Sequence, residues 1–530
     1  MTRQIGWLFP PTNGGISTGI NDPGMAHFTG QPLASLARET IQNSLDACLD
    51  QEQPVHVSFE LLDCDLDQVG RSELATAIES CRSTITEHQH AMEAAALREA
   101  AKFVEAKQVP CLRISDRNTT GLFGENWRAL VKMQGFSHKP DMEGAGGSHG
   151  IGKYAPFAVS NLRTVFYWTC FIENGQEREK FQGKSVLISH SDADGNETQG
   201  TGFFGLKEGC LELTDGIPNE FRVIEKDQRP ARGTSVTVMG FQETGDWRSR
   251  IAESVIENFF YAIGTERLNV IVEPDKYTDL MEMDRTSIDK WFEYLQGSDS
   301  SENPQASTGN SVKDAQIFWE LSKEEPAAEK QDVDLGHCRL WISTAEGLPR
   351  KVAFVRRTGM LVTTQQAGLI RFHGFRDFAA LCVFEDPEGN ELLRRMENPR
   401  HDQFEPNRLP RDDRDRGRRA LKRITDWVRG EIRKQAGPPE GGEKTVLSEL
   451  AVYLPDYQPE EPFEESGDYR GEGHSEPGFG AKVKISLKPV RKQGTPKLPK
   501  DSDADSEGDG NDTGAEGGAG TGEGGSGGGG

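Results

Sequence analysis

The spacing of apolar positions changes period several times along the chain, and each change predicts an element. Around "ETIQNSLDAC", residues 39–48, Ile41, Leu45, Ala47 and Leu49 supply an apolar side. Glu39, Asn43 and Asp46 leave the same predicted helix as one polar row, because side chains three, four and seven positions apart share a face. A plain amphipathic helix with a wet acidic face would carry the same pattern. "PVHVSFELLD", 54–63, alternates through Val55, Val57, Phe59 and Leu61 and predicts a strand. Residues 71–106, rich in Ala, Glu and Leu and free of Pro and Gly, predict a long helical segment broken near Ser83 or His88. "VPCLRISD", 109–116, is a short strand ending in an acid, and after a Gly-rich stretch come the alternating strands "RTVFYWTCF", "KSVLISHS", "GTGFFGL" and "GTSVTVMGF". This order predicts an α/β fold, a mixed sheet covered by helices on one face, closing near Phe241.

A second domain, 247–436, opens with the helix "WRSRIAESVIENFFYAIG", 247–264, and the strand "LNVIVE". A polar stretch at 296–312 reads as an exposed loop. Strands follow at "CRLWIST" and "KVAFVRR", then a turn at Gly359, then "FHGFRDFAALCVF". A charged helix of about 411–435 ends the domain. Its arginines alternate with Asp412, Asp413, Asp415 and Asp426, the pattern of a salt-bridged wet face.

From 437 to 530 the composition turns to Gly, Pro, Glu, Ser and Asp, and after Lys500 come eight acids and no base. Such a segment cannot bury enough apolar surface to offset chain entropy and is expected to be mostly disordered. Val452–Leu454 and Val483–Leu487 are strand-like pieces within it, and Lys482–Lys500 is a basic island. With 530 residues the chain exceeds one core. The net charge of −24 argues against coating nucleic acid by bulk charge. Eight cysteines without a CxxC pair disfavour a zinc site and a disulfide scaffold. No signal-peptide core or membrane-length apolar run stands out, so a cytoplasmic location without a membrane partner is expected.

Chemistry concentrates in three places. "GGSHGIGK", 146–153, sets glycines before an apolar helical run, where exposed N–H groups and a helix start suit phosphate, although neither the Walker A nor the GxGxxG spacing is present. "ISDRNTTGL" offers Asp116 at a strand end and Gly121 in the turn beyond it. That acid can accept a hydrogen bond from an exocyclic amine, or simply cap a turn. The third is the Glu39 helix itself.

Taken in order, E-x-x-x-N-x-x-D-A, strand-Asp-turn-Gly, GGxHGxGK and a strand-borne "GTSVTV" resemble the ATP-binding fold of the GHKL superfamily, which includes DNA gyrase B, the heat-shock protein 90 chaperones, MutL proteins, histidine kinases and MORC ATPases. The resemblance implies a Bergerat-type α/β sandwich at 31–241, a transducer-like, ribosomal S5-like α/β domain at 247–436, and a strap at 1–30 that crosses to a second subunit of an ATP-dependent homodimer. It implies ATP and Mg2+ as ligands. Glu39 matches the general base that polarises the attacking water, Asn43 the Mg2+ ligand, and Asp46 a residue orienting the nucleotide site. Asp116 matches the adenine-binding acid with Thr234 beside it. Gly146, Gly147, Gly150 and Gly152 match the lid glycines, with Lys153 at the end of the phosphate-facing run.

"ENPRHDQFEP", 397–406, is similar to a MutL loop and points to His401, with Arg400 as the alternate, as the group reaching the γ-phosphate. The chain departs from the family where Asn118 replaces the glycine two residues after the motif aspartate, a position whose left-handed backbone Asn tolerates. Its segment 71–106 exceeds the family pattern and is long enough to lie over the site. The overall plan most resembles prokaryotic MORC-like ATPases of restriction-modification and phage-defence clusters. That implies DNA, a nuclease or other defence-system proteins as partners, with a non-hydrolysing nucleotide-binding scaffold or chaperone-like protein that recruits partners through its tail as the alternative.

Overall fold

The computed structural model describes residues 3–19, 23–28, 30–85, 90–133, 152–242, 245–273, 279–298 and 309–437. Gly146, Gly147, Gly150 and the expected tail beyond Gly437 lie outside the described residues. The described residues fall in one compact unit, Met1–Lys444.

The helices are α1 (Pro23–Ala26), α2 (Pro32–Asp46), α3 (Arg71–Thr84), α4 (Ala91–Glu105), α5 (Gly124–Val131), α6 (Ala155–Ala158), α7 (Trp247–Gly264), α8 (Ile288–Ser298), α9 (Gly309–Ser322), α10 (Pro387–Met396) and α11 (Arg414–Ala436). A nine-stranded sheet is built from β1 (Ile5–Leu8), β2 (Val55–Cys64), β3 (Val109–Arg117), β4 (Thr164–Glu173), β5 (Gln176–Val186), β8 (Thr201–Leu206), β9 (Gly233–Met239), β10 (Leu268–Val272) and β11 (Glu282–Met283). A small hairpin, β6 (His190–Ser191) with β7 (Glu197–Thr198), stands apart from it. The strand order is β1-β8-β5-β4-β9-β3-β2-β10-β11, antiparallel except where β10 runs parallel to β2. The second sheet takes β12 (Ala328–Asp332), β13 (Gly336–Ser343), β14 (Lys351–Val355), β15 (Leu361–Thr363) and β16 (Ala379–Phe384) in the order β12-β13-β16-β14-β15.

The large sheet is covered on both faces, which corrects the expectation of helices on one. Side chains alternate across a strand. Val57, Leu112, Ile114, Val165 and Tyr167 join the cluster that holds α2 and α7, whereas Cys111, Phe166, Trp168 and Phe181 join one with Leu74, Ile78, Leu97 and Val104 of α3 and α4. Segment 71–106 is therefore a helical pair closing the second face, on the side of the sheet away from α2, rather than a cover over the site.

Two further differences concern chain path, at β10 and at 296–312. The strand expected to open a second domain, β10, joins the first sheet beside β2. The N-terminal stretch runs along its own chain's sheet edge: β1 pairs with β8, the Trp7 indole N–H donates to the Val69 carbonyl at 2.8 Å, and Ser189 Oγ accepts from the Thr18 amide at 2.9 Å. Part of the polar stretch at 296–312 is helical, since α9 starts at Gly309. In α11, Ala420, Leu421, Ile424, Val428 and Ile432 form the buried stripe, while Arg418–Asp415 and Lys422–Asp426 pair along the wet side. Among the described residues no helix is long and apolar enough to cross a membrane.

Candidate functional site

Pro32 starts α2 with its φ already set for a helix. Leu33, Leu36, Ala37, Ile41 and Leu45 then bury one side of the helix in the cluster shared with α7. The helix is too enclosed to have a single wet face, because Glu39, Gln42 and Ser44 are buried as well, while Asn43 is exposed. Glu39 faces the 3-10 turn Gly152–Tyr154: a Cβ on Gly152 would collide with the Glu39 carboxylate. Gly152 is thus needed for close approach rather than for a left-handed backbone.

Asp116 is fixed from three directions. Its Oδ2 accepts from Ser44 Oγ at 2.9 Å, and its Oδ1 accepts from Thr119 Oγ1 at 2.6 Å and from the Thr234 amide at 2.8 Å. A Cβ on Gly233 would stand 2.7 Å from the same Oδ1, so β9 lies directly against the acid. Burial pushes the Asp116 carboxyl up, against the three hydrogen bonds that favour the anion.

The turn after β3 is tied to the end of α2: the Leu49 amide donates to the Asn118 carbonyl and the Thr120 amide to the Ala47 carbonyl, each at 2.9 Å. Asn118 takes φ +59°, and its amide nitrogen donates to the carbonyls of Asp50 and Gln53 at 2.8 and 3.0 Å. Gly121 has φ +71°, and a Cβ there would strike the Cys170 carbonyl. Thr169 joins the two sides, accepting from the Leu122 amide at 2.8 Å and donating to the Gly233 carbonyl at 3.0 Å.

The structure therefore brings Glu39 and Gly152 together, and Asp116 and Thr234 together, with Ser44 linking the second pair to α2. It directs the other candidates elsewhere. The Lys153 ammonium donates to the carbonyls of Ala129, at 3.0 Å, and Met133 at the end of α5, and burial pulls it down. Asp46 forms ion pairs with Arg356 and Arg394, both at 3.6 Å. His401 is buried beside α2, at φ +55°, with Nδ1 2.6 Å from Glu397 Oε2 and 3.0 Å from Gln42 Nε2. Arg400 is near His27, its Nε 3.3 Å from the ring nitrogen.

Sequence patterning missed Ser44, Thr119, Gln42, Arg356 and Glu397. Ser44 is next to Asn43 in the quoted motif, but nothing local says that its hydroxyl would reach a strand end.

No family model matches the chain, and no curated protein matches it. Among solved structures, the B subunit of DNA gyrase from Myxococcus xanthus is similar at 10% identity and a TM-score of 0.33, over 79% of this chain and 93% of that one. A likeness this loose assigns no activity.

Proposed function

We propose that the chain is a Mg2+-dependent ATPase of the GHKL kind. The observation that carries the reading is the strand-end carboxylate Asp116, held by Ser44, Thr119 and the Thr234 amide, beside a helix whose buried Glu39 lies against Gly152. A carboxylate fixed at a strand end suits the exocyclic amine of adenine. Glu39, held out of bulk water, suits a base that polarises a water molecule toward the γ-phosphate.

Asn43 lies one turn beyond Glu39 and is exposed, so its amide oxygen is free of competing burial. Mg2+ keeps most of its waters and takes few protein ligands, so one such oxygen together with the substrate phosphates fits it. When bound there, the ion supplies charge neutralisation between the phosphates.

On the resemblance alone we propose further that ATP closes a homodimer of the MORC-like type. Partners in that setting would be DNA, a nuclease or other proteins of a restriction or phage-defence system. Steady-state Mg2+-ATP hydrolysis, with and without duplex DNA, tests the reading. Wild type should turn over, Glu39→Ala should bind ATP with at least a 100-fold loss in turnover, and Asp116→Asn should lose binding. Equal behaviour of all three would refute it, and binding without turnover in the wild type would favour a nucleotide-binding scaffold.

A further inference from the structure

The ATPase reading uses Glu39, Asn43 and Asp116 and leaves another polar side of α2 without a task. There the second sheet reaches the helix. β14 and β15 are joined by a tight turn in which the Gly359 amide donates to the Arg356 carbonyl at 2.8 Å and the Arg356 amide to the Met360 carbonyl at 2.9 Å. Gly359 has φ +89°, and a Cβ on it would stand 2.6 Å from the Ala262 Cα, so the turn is pressed onto α7.

From this hairpin, contacts run along the C-terminal half of α2. At mid-helix, Arg38 donates to the carbonyls of Leu361 and Val362 at 3.4 and 3.5 Å and to that of His401. Just past its end, Arg357 donates to the Gln51 side chain at 2.9 Å. Between them is the Arg356 guanidinium, fully buried, with Nη2 3.6 Å from Asp46 and Nε 3.2 Å from Glu397. Glu397, buried too, passes the chain on to His401, which meets Gln42 of α2.

Buried charges persist only when they compensate one another. Among the described residues Arg356 Nε and Nη1 find no hydrogen-bond partner, so charge holds the group, not an aligned two-pronged fork.

We infer that Arg356 is a positioning residue: through Asp46 and Glu397 it sets where α2 sits, and with it Glu39, from the β14–β15 turn of the second sheet. Asp46 is thereby an anchor of the helix rather than a nucleotide contact. The functional consequence rests on the ATPase reading of Glu39, while the mechanical one does not.

The test uses the full chain with Arg356→Met, Arg356→Lys, Asp46→Asn and the double variant Arg356→Met/Asp46→Asn. Turnover should fall at least 10-fold in each of Arg356→Met and Asp46→Asn, with affinity for a non-hydrolysable ATP analogue changed less than 3-fold. The double variant should fall no further than either single, and Arg356→Lys should recover most of the rate. Wild-type turnover in Arg356→Met, or losses that multiply in the double variant, overturns the inference.

Hydrogen exchange without nucleotide separates this from failure of the ATPase reading. Amides 39–46 should exchange at least 10-fold faster in Arg356→Met and Asp46→Asn and return toward wild type in Arg356→Lys, with β12 and β13 unchanged. Unchanged protection of α2 overturns the positioning role even if the chain proves to hydrolyse nothing.

Discussion

At the residue scale, the site depends on how closely two segments approach. Gly152 has no side chain where the Glu39 carboxylate needs the space, so Gly152→Ala must either rotate Glu39 or push the 3-10 turn outward. A catalytic group displaced by about 1 Å loses on the order of 100-fold in rate. Gly152→Ala is accordingly expected to reduce ATP turnover by about that factor while circular dichroism and melting temperature stay near wild type. Full activity in this variant would detach Glu39 from the chemistry.

The strand-end place of Asp116 was legible because a strand pattern ended on an acid, and the positive φ of Asn118 because its tolerance of that backbone is intrinsic to the residue. The partners of Lys153 were not legible from its glycine neighbours, since the carbonyls that hold it belong to the end of α5 and the turn after it, which the local pattern did not reveal. Arg356 was invisible: in "KVAFVRR" it reads as the wet end of a strand, and only Asp46 and Glu397, brought in from distant parts of the chain, make burial tolerable.

At the element scale, α7 was predicted at its observed bounds, yet its environment was not. Its length and apolar content made a helix plain, but the pattern could not say that Asp314 of α9 and Arg38 of α2 would come close to Glu257. That carboxyl is raised to about 8 by burial, with Glu253 and Asp314 adding to the rise and Arg38 opposing it; Asp314 is itself engaged by Lys351. Among the described residues Glu257 Oε1 has no hydrogen-bond partner.

The sign of the resulting pH dependence follows from which state ionises first. The unfolded carboxyl ionises near its ordinary value of 4.5 and the folded one only near 8, so the folded state loses stability as pH rises across that window and levels off above it. Glu257→Gln should flatten this decline, making the variant more stable than wild type at pH 9 by up to a few kcal/mol and little different at pH 5. Chemical denaturation at the two pH values measures the difference. A wild type whose stability is flat from pH 5 to 9 would mean that the carboxyl is solvated.

At the scale of the whole molecule, the two sheets share one core through α7. A single apolar cluster runs from Met25 and Leu36 through Ile256, Phe259 and Phe260 to Leu381 and Val383, so residues of both sheets lose water against the same helix. β10, which follows α7, returns to pair with β2, and the chain on either side of 241–247 is therefore interleaved rather than strung in sequence. Hydrophobic periodicity locates elements but carries no information about such returns, which is why neither the return of β10 to the first sheet beyond Phe241 nor the shared core was legible.

The mechanical consequence is cooperative unfolding. Phe259 is fully buried, and truncating such a ring costs about 3–5 kcal/mol through lost burial and the cavity left behind. If the core is shared, Phe259→Ala must weaken both sheets by that amount, and native-state hydrogen exchange should show amides of β3 and of β16 opening together with matched losses of protection. Loss confined to β3, with β16 keeping its wild-type protection, would mean that two separately stable domains touch at α7. In that case the Arg356 linkage would have to be carried by the hairpin turn alone.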